Sequence, residues 1–467
     1  MSRTQFPAWL RTGMAGFLVL IGLSIASARA EDADIDALHP AAIQVAYFSA
    51  VPFRESPFAD LTGVHPITPD AAMWRNHYRF EYDASNRLVR VSFRLGNRVR
   101  DLNTSANYYF DAPRIDIAYE AGFERRRYFD RHGNPIAVQG TVFEAEFSLD
   151  ALGYRRSLRY RDVHGQPVES DRGIALYTWQ VSPDGTVIEH REAMDGTPAA
   201  LRPGFPFYDI HLHYGAGGYL ALMQNFGDGE RLTLNPLNAA QDRLDFAANG
   251  DLRAWNVLDE NGAPAVGNGP GVARGSLTYD SWGLQVSQSH ENAAGEPMVS
   301  AYGWGVTRDR HDARGNTVWR GNFALDGTTP ANNPTTGYSF YTYSYAENGR
   351  DMVELALFHA DGSPAEHLRA GYSTRQQSYD AQGNVTDIVY RDARGSIVAR
   401  QDTGESRRRL DYDANGRLTR IRLFGLDDTA ISHFVEGWHK QVFHYVGDTG
   451  VVAHIDQTGL NGEEVAP

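Results

Sequence analysis

The chain has no cysteine and only 7 methionines in 467 residues. The missing cysteine excludes disulfides, thiol catalysis, thiolate-ligated metal and a lipid-modified cysteine at a cleavage site. A long membrane-spanning run is missing too: the leading apolar stretch, Met14 to Ala26, is 13 residues long, short of the roughly 20 that a spanning helix needs. Arg3 and Arg11 precede this stretch and Ala28-Arg29-Ala30 follows it, with small residues at −3 and −1, which predicts a secretory signal peptide over residues 1–30 and a mature start at Glu31. There is no Gly-x-Ser-x-Gly nucleophile elbow, His-Glu-x-x-His, phosphate loop or dinucleotide fingerprint. No catalytic residue is therefore named and no cofactor is implied.

The formal net charge is −14, and loss of Arg3, Arg11 and Arg29 with the leader takes it to −17. Such a surface repels phosphate backbones and anionic lipid, so nucleic-acid and membrane-surface binding are disfavoured and a periplasmic or secreted location is expected. Abundant glycine (46), tyrosine (24) and phenylalanine (22) suggest many short strands cut by turns.

Repetition organises the chain. Asn86, Gly122, Gly153, Gly185, Gly218, Gly250, Gly283, Gly315, Gly349, Gly383, Gly416 and Gly450 recur at intervals of 31 to 36 residues, a period of about 33. A second turn follows each anchor, as at Gly133, Gly262 or Gly395, and only the penultimate unit breaks the pattern, with Asp427 and Asp428 where glycine is expected. A third glycine recurs near the strand that leads into the next unit, for example Gly275, Gly337 and Gly404. Asp at the first turn position can hydrogen-bond the backbone two residues on, and Gly near the end accepts positive φ. Between turns the residues alternate: Tyr78, Phe80 and Tyr82 share one face, His77, Arg79 and Glu81 the other, as in half-buried strands.

The predicted fold is thus all-β: an array of about twelve stacked antiparallel β-hairpin repeats over residues 77–463, elongated, curled or spiral. One hairpin cannot bury its own apolar face, so neighbours must supply the core. Residues 31–76 fall outside the pattern and read as an N-terminal cap, with a short helix expected over Asp34 to Tyr47 and an irregular stretch at Pro52, Pro57, Pro66 and Pro69. Residues 464–467 form a polar tail.

Tyr412-Asp413-Ala414-Asn415-Gly416-Arg417-Leu418-Thr419 resembles the tyrosine-aspartate (YD) signature of the RHS and teneurin-like repeat proteins. Tyr379, Asp380, Gly383, Asn384 and Val385 match it closely, and Tyr82, Asp83, Asn86, Arg87, Leu88 and Tyr279, Asp280, Gly283, Leu284 match in part. The resemblance covers nearly the whole mature chain and implies a long antiparallel sheet that spirals or curls. The unit here is longer than the typical YD repeat, and neither a self-cleaving core segment nor a toxin domain is recognisable, so the family's toxin activity is not implied.

Three constellations could carry chemistry. Asp209, His211 and His213 could ligate zinc or copper, since His211 and His213 share one face of a strand; two histidines on a strand surface are the plainer reading. The turns Asp228-Gly229-Glu230 and Asp259-Glu260-Asn261-Gly262 offer clustered oxygens for calcium, although the same residues serve as turn formers. Trp255, Trp282, Trp304 and Trp319 could stack sugar rings, or pack within and between units. The function expected is a non-catalytic exported scaffold that binds a protein or glycan partner along an acidic, aromatic-rich surface. The alternative is a carbohydrate-active enzyme or lectin using the Trp-rich middle units, with facing carboxylates if it is a glycosidase.

Overall fold

The computed structural model describes residues 38–102, 111–215, 217–227 and 231–465. The signal-peptide segment and the turn at Asp228 lie outside the described residues. The described chain is one open antiparallel sheet of 28 strands, joined almost throughout in hairpin order. Each repeat gives two long strands, such as Arg407–Tyr412 and Leu418–Phe424, then an isolated bridge around the second turn, such as Phe424↔Ala430. Among the described residues no helix is long and apolar enough to cross a membrane.

The YD signature has a physical basis in the turns. Asp413 Oδ1 accepts from the amides of Asn415 and Arg417, both at 2.9 Å, and its Oδ2 pairs with the Arg417 guanidinium at 2.7 Å. Asp83 holds Ser85 and Arg87 in the same way. The tyrosine that ends the strand before the turn, followed by aspartate in three of five cases, reaches one unit back: the hydroxyls of Tyr279, Tyr345, Tyr379, Tyr412 and Tyr445 donate to the carbonyls of Leu252, Thr317, Met352, Val385 and Leu418. Burial raises the Tyr412 pKa, which keeps the phenol a donor. One residue type thus closes the turn and its neighbour ties that turn to the preceding unit. Where the second-turn glycine is missing, Asp428 adopts φ 58°, a left-handed conformation that aspartate tolerates better than most side chains.

Cross-strand partners share a face, so the ladder can be followed along the whole sheet. One face carries Phe80, Val91, Ile115, Phe147, Leu158, Tyr177, Trp179, Leu212, Met223, Leu244 and Leu277 in a single buried cluster. The segment from Val51 to Leu61 lies against this face. Phe58 meets Trp179 at 5.7 Å and Tyr214 at 6.0 Å, Arg155 donates to the Phe58 carbonyl at 2.7 Å, and the Ser56 hydroxyl donates to Glu189. The clustered face is therefore the concave one, and the proline-containing segment fills it.

Contrary to expectation, there is no helix at the end of the Asp34 to Tyr47 stretch: Gln44–Ala50 is a strand that pairs with both Asn76–Tyr82 and Val64–Pro66. Its β-branched and aromatic residues, Val45, Tyr47 and Phe48, suit a pleated surface better than a helix, and Tyr78 and Phe80 in the adjacent strand offer the apolar face that decides the matter. Among the described residues α-helix is limited to one turn at Pro69–Ala72, capped by Thr68.

The sheet also coils back on itself, and turns of the later units rest on the earlier ones. Asn76 donates to the Arg314 carbonyl at 2.9 Å and to Asn316 Oδ1 at 2.9 Å; Arg100 donates to Asn316 Oδ1 at 2.9 Å and to the Arg350 carbonyl at 3.2 Å. Arg131 donates to the Gly383 carbonyl at 2.9 Å, Asn134 to the Asn415 carbonyl at 2.8 Å, and the Gly450 amide to the Pro135 carbonyl at 2.8 Å. His65 Nε2 meets Asp251 at 2.8 Å. This polar seam joins parts of the chain that lie roughly two hundred or more residues apart, and Asn316 and Asn384 within it are fully buried. Contact is close at Gly283: it has φ +77°, and a Cβ there would lie 2.2 Å from the His65 ring.

Candidate functional site

Past Leu277 the concave row changes character. Its members along the ladder include His290, Thr307, Asp309, Arg320, Tyr341, Tyr343, Leu355, Leu357, Arg375 and Tyr379; His290, Thr307, Asp309 and Leu357 are buried and the others partly exposed. The alternation that builds a dry interior in the first half therefore gives a partly exposed polar-aromatic stretch between Arg320 and Tyr379, followed by smaller buried clusters at Val385, Ile388, Tyr390 and Leu410 and at Ile421 and Leu423.

At its start Trp255 sits beside Gly275, where a Cβ would collide with the indole at 2.0 Å. His290 stands between Trp255 and Trp304, with ring centroids at 5.9 and 4.4 Å. Burial, only partly offset by a hydrogen bond to the Trp304 backbone, pushes the His290 pKa down to about 4. The imidazole between the two indoles is thus neutral at physiological pH.

Further along, Arg320 makes a bidentate pair with Asp309 at 2.5 and 2.7 Å. Burial alone would lower its pKa, but Tyr341 and the Asp309 carboxylate hold it above the usual range. Tyr341 and Tyr343 pack edge to face at 5.2 Å, and Tyr372 and Tyr390 lie 5.1 Å apart, with Arg400, itself paired with Asp402 at 2.8 Å, over Tyr390. Tyrosine faces beside fixed arginine donors can stack on a planar or ring-shaped group and hydrogen-bond its edge.

The tryptophans named from the sequence do not form one site. Trp255 and Trp304 share the His290 cluster. Trp282 lies at the seam, 6.4 Å from Trp74 and 4.0 Å from the Arg75 guanidinium, and its carbonyl accepts from Ser49. Trp319 points from the opposite face, under Arg310 at 4.7 Å and beside Phe340 at 5.6 Å. Trp179 is fully buried.

The Asp209, His211 and His213 side chains share the convex face but find separate partners. Asp209 takes His190 at 2.6 Å, His213 Nε2 takes Gln224 at 2.8 Å, and His211 stacks on Phe226 at 3.8 Å. Burial and the neighbouring histidines His213 and His190 lower the His211 pKa. At the other candidate cation turn, Asp259 Oδ1 is engaged by the amides of Asn261 and Ala263 at 2.8 Å, the work of a turn former.

A separate, partly open cavity of about 30 Å³ lies under the Val51 to Leu61 segment, lined by Arg54, Asp111, Arg126, Tyr128, Tyr160 and Tyr177 among others. That is room for one or two waters. The tyrosine row was visible in the sequence as Tyr341, Tyr343 and Tyr345, but alternation alone gives a buried ladder and an open one the same pattern.

The geometry defines a class: a coiled antiparallel repeat sheet with one large apolar cluster in its first half and a more polar, partly exposed stretch between smaller clusters in its second. No family model matches the chain, and no curated protein matches it. Among solved structures it is similar to the crystal structure of TcdB2-TccC3-TEV, at 12% identity over 86% of this chain and 20% of that one, with a TM-score of 0.32. The Tc holotoxin pore of Photorhabdus luminescens is similar at 12% identity over 85% and 19%, with a TM-score of 0.30. A porin-like protein from Bacteroides uniformis is similar at 10% identity over 66% and 92%, with a TM-score of 0.21. The chain spans about a fifth of the length of the first two. TM-scores this low place it in no family.

Proposed function

We propose that this protein is an exported, non-catalytic repeat scaffold of the YD type that binds a protein or glycan partner along the concave face of its second half. The observation that carries this reading is the change in the concave row: up to Leu277 it is a closed apolar cluster, and from Arg320 to Tyr379 the partly exposed Arg320, Tyr341, Tyr343, Arg375, Gln377 and Tyr379 interrupt it around the buried Leu357. A repeat array offers its partner an extended surface rather than a pocket, and the open row supplies stacking faces and donors at strand spacing, about 4.8 Å apart. The convex face is charged as well, but there the arginines and acids largely neutralise one another, as in Arg407 and Arg409 with Asp387 and Asp428.

Adjacent residues on one strand test the reading. Tyr343 faces the concavity and Ser344 the outside. A photo-crosslinking side chain at position 343 is expected to capture a partner from the cell envelope or an oligosaccharide from a glycan panel, and Tyr341→Ala is expected to cut that capture at least tenfold. Equal capture at 343 and 344, or turnover of a glycan abolished by substituting an acidic pair, would reject it.

A further inference from the structure

We propose that His444, His454 and Asp456 form a binding site for one divalent transition-metal ion of the zinc or copper class on the outer face of the last hairpin. Lys440–Tyr445 and Val452–Thr458 pair antiparallel, and His444 and His454 stand directly opposite each other. Their rings lie flat together, with centroids 4.2 Å apart and planes 9° from parallel. Asp456 is two residues beyond His454 on the same face, and its carboxylate reaches both rings: Oδ2 is 2.8 Å from His444 Nε2 and Oδ1 is 3.8 Å from His454 Nε2. One ligand atom from each of the three lies within 4.8 Å of the others, so small side-chain rotations bring all of them to the roughly 2.0–2.2 Å bonds that zinc makes with imidazole and carboxylate.

Two imidazoles and one carboxylate suit borderline ions such as Zn²⁺ and Cu²⁺ and suit calcium or magnesium poorly, since those prefer all-oxygen shells. The three side chains are 41%, 61% and 55% exposed, so an ion reaches them without any opening of the fold and water completes its coordination. Among the described residues this is the one set of three histidine or acidic groups whose ligand atoms converge in this way. The Asp209, His211 and His213 set does not, because each of its members is engaged elsewhere.

The site also has a structural consequence. Among the described residues Val452–Thr458 is the last strand, and its one strand ladder is with Lys440–Tyr445. An ion shared by His444 and His454 crosses the ladder between Lys440–Tyr445 and Val452–Thr458 and so ties this strand to its neighbour.

The test uses the tag-free full chain, stripped of metal and titrated with Zn²⁺ alone in a competition assay with a chromogenic chelator. Wild type is expected to bind one equivalent that is lost or weakened at least tenfold in His444→Gln, His454→Gln and Asp456→Asn, while a His211→Gln/His213→Gln variant retains it. Zn²⁺ is also expected to slow hydrogen exchange across Val452–Thr458 in wild type and not in the triple variant. Unchanged stoichiometry and affinity in the triple variant would overturn the proposal, as would zinc binding that depends on His211 and His213 instead. All three side chains are at least two-fifths exposed, so the variants are expected to fold, which circular dichroism checks.

Discussion

The seam between early and late units can be tested at one residue, Asn316, whose side chain is fully buried and makes at least four hydrogen bonds. Its Nδ2 donates to Asp312 Oδ2 at 2.9 Å and to the Gly349 carbonyl at 2.8 Å. Its Oδ1 accepts from Asn76 and from Arg100, both at 2.9 Å. At about 1 kcal/mol net for each bond, Asn316→Ala costs about 4 kcal/mol. Arg100, whose pKa burial lowers to about 10, still keeps Asn76 Oδ1 at 2.6 Å and the Arg350 carbonyl, so the larger penalty of an unpaired buried charge is not added. Urea unfolding followed by circular dichroism measures the loss, with Asn261→Ala at an exposed turn as a control expected within about 0.5 kcal/mol of wild type. Hydrogen exchange at the Asn76 amide, which donates to Arg314 across the seam, should accelerate in the variant. A loss below about 1 kcal/mol, or one equal to the control, would show that the two halves of the coil do not hold each other in solution.

Gly283→Ala should destabilise by at least about 2 kcal/mol in the same titration, since its Cβ would enter the His65 ring; Gly295→Ala, with φ +79° and no atom within 4 Å, should cost only the left-handed penalty of about 1 kcal/mol. Tyr412→Phe, by removing a hydrogen bond to the preceding unit at 2.7 Å, should cost about 1 kcal/mol in urea. Burial would raise the Glu124 pKa, but the charges of Arg126 and Arg155 override it and hold it at about 2. A depressed carboxylate stabilises above its unfolded pKa near 4.5, so stability on the order of 3 kcal/mol should be lost as pH falls from about 4.5 toward 2, with a shallower fall in Glu124→Gln. Asp242 has the opposite sign: burial, with Glu55 nearby, pushes its pKa up to about 8 against the pull of Arg202 and Asn268. The folded state then holds a proton that the unfolded chain has released, so this contribution is lost between about pH 4 and 8. Asp242→Asn should flatten that slope and raise the urea midpoint at pH 8.

Much of the array was legible in the sequence because its signals are local. Tyr412, Asp413 and Gly416 mark a turn whose hydrogen bonds run over five residues, and Asp83, Asp280 and Asp380 repeat it. The strand at Gln44–Ala50 was not legible, because its pairing with Asn76–Tyr82 lies across the Val51 to Leu61 segment and no local pattern announces it. The convergence of His444, His454 and Asp456 was within reach: counting back from the turn before Val452 places the two histidines opposite each other. Trp255 and Trp304 meet around His290 while Trp282 and Trp319 lie apart, because spacing gives the face of a strand and not the curvature of the sheet.

The sequence by itself determined the period, the turns and the face each side chain takes, since dihedral preference and two-residue alternation act over a few residues. Tertiary structure alone decided which face became the inside, what filled it and where it stayed open. Those outcomes depend on the coil bringing Asn76 to Asn316 and Arg131 to Gly383, and on the Val51 to Leu61 segment covering one half of the concave face. Contacts at such separations leave no periodic trace in the chain, because each is a single meeting between two surfaces that local rules had already built.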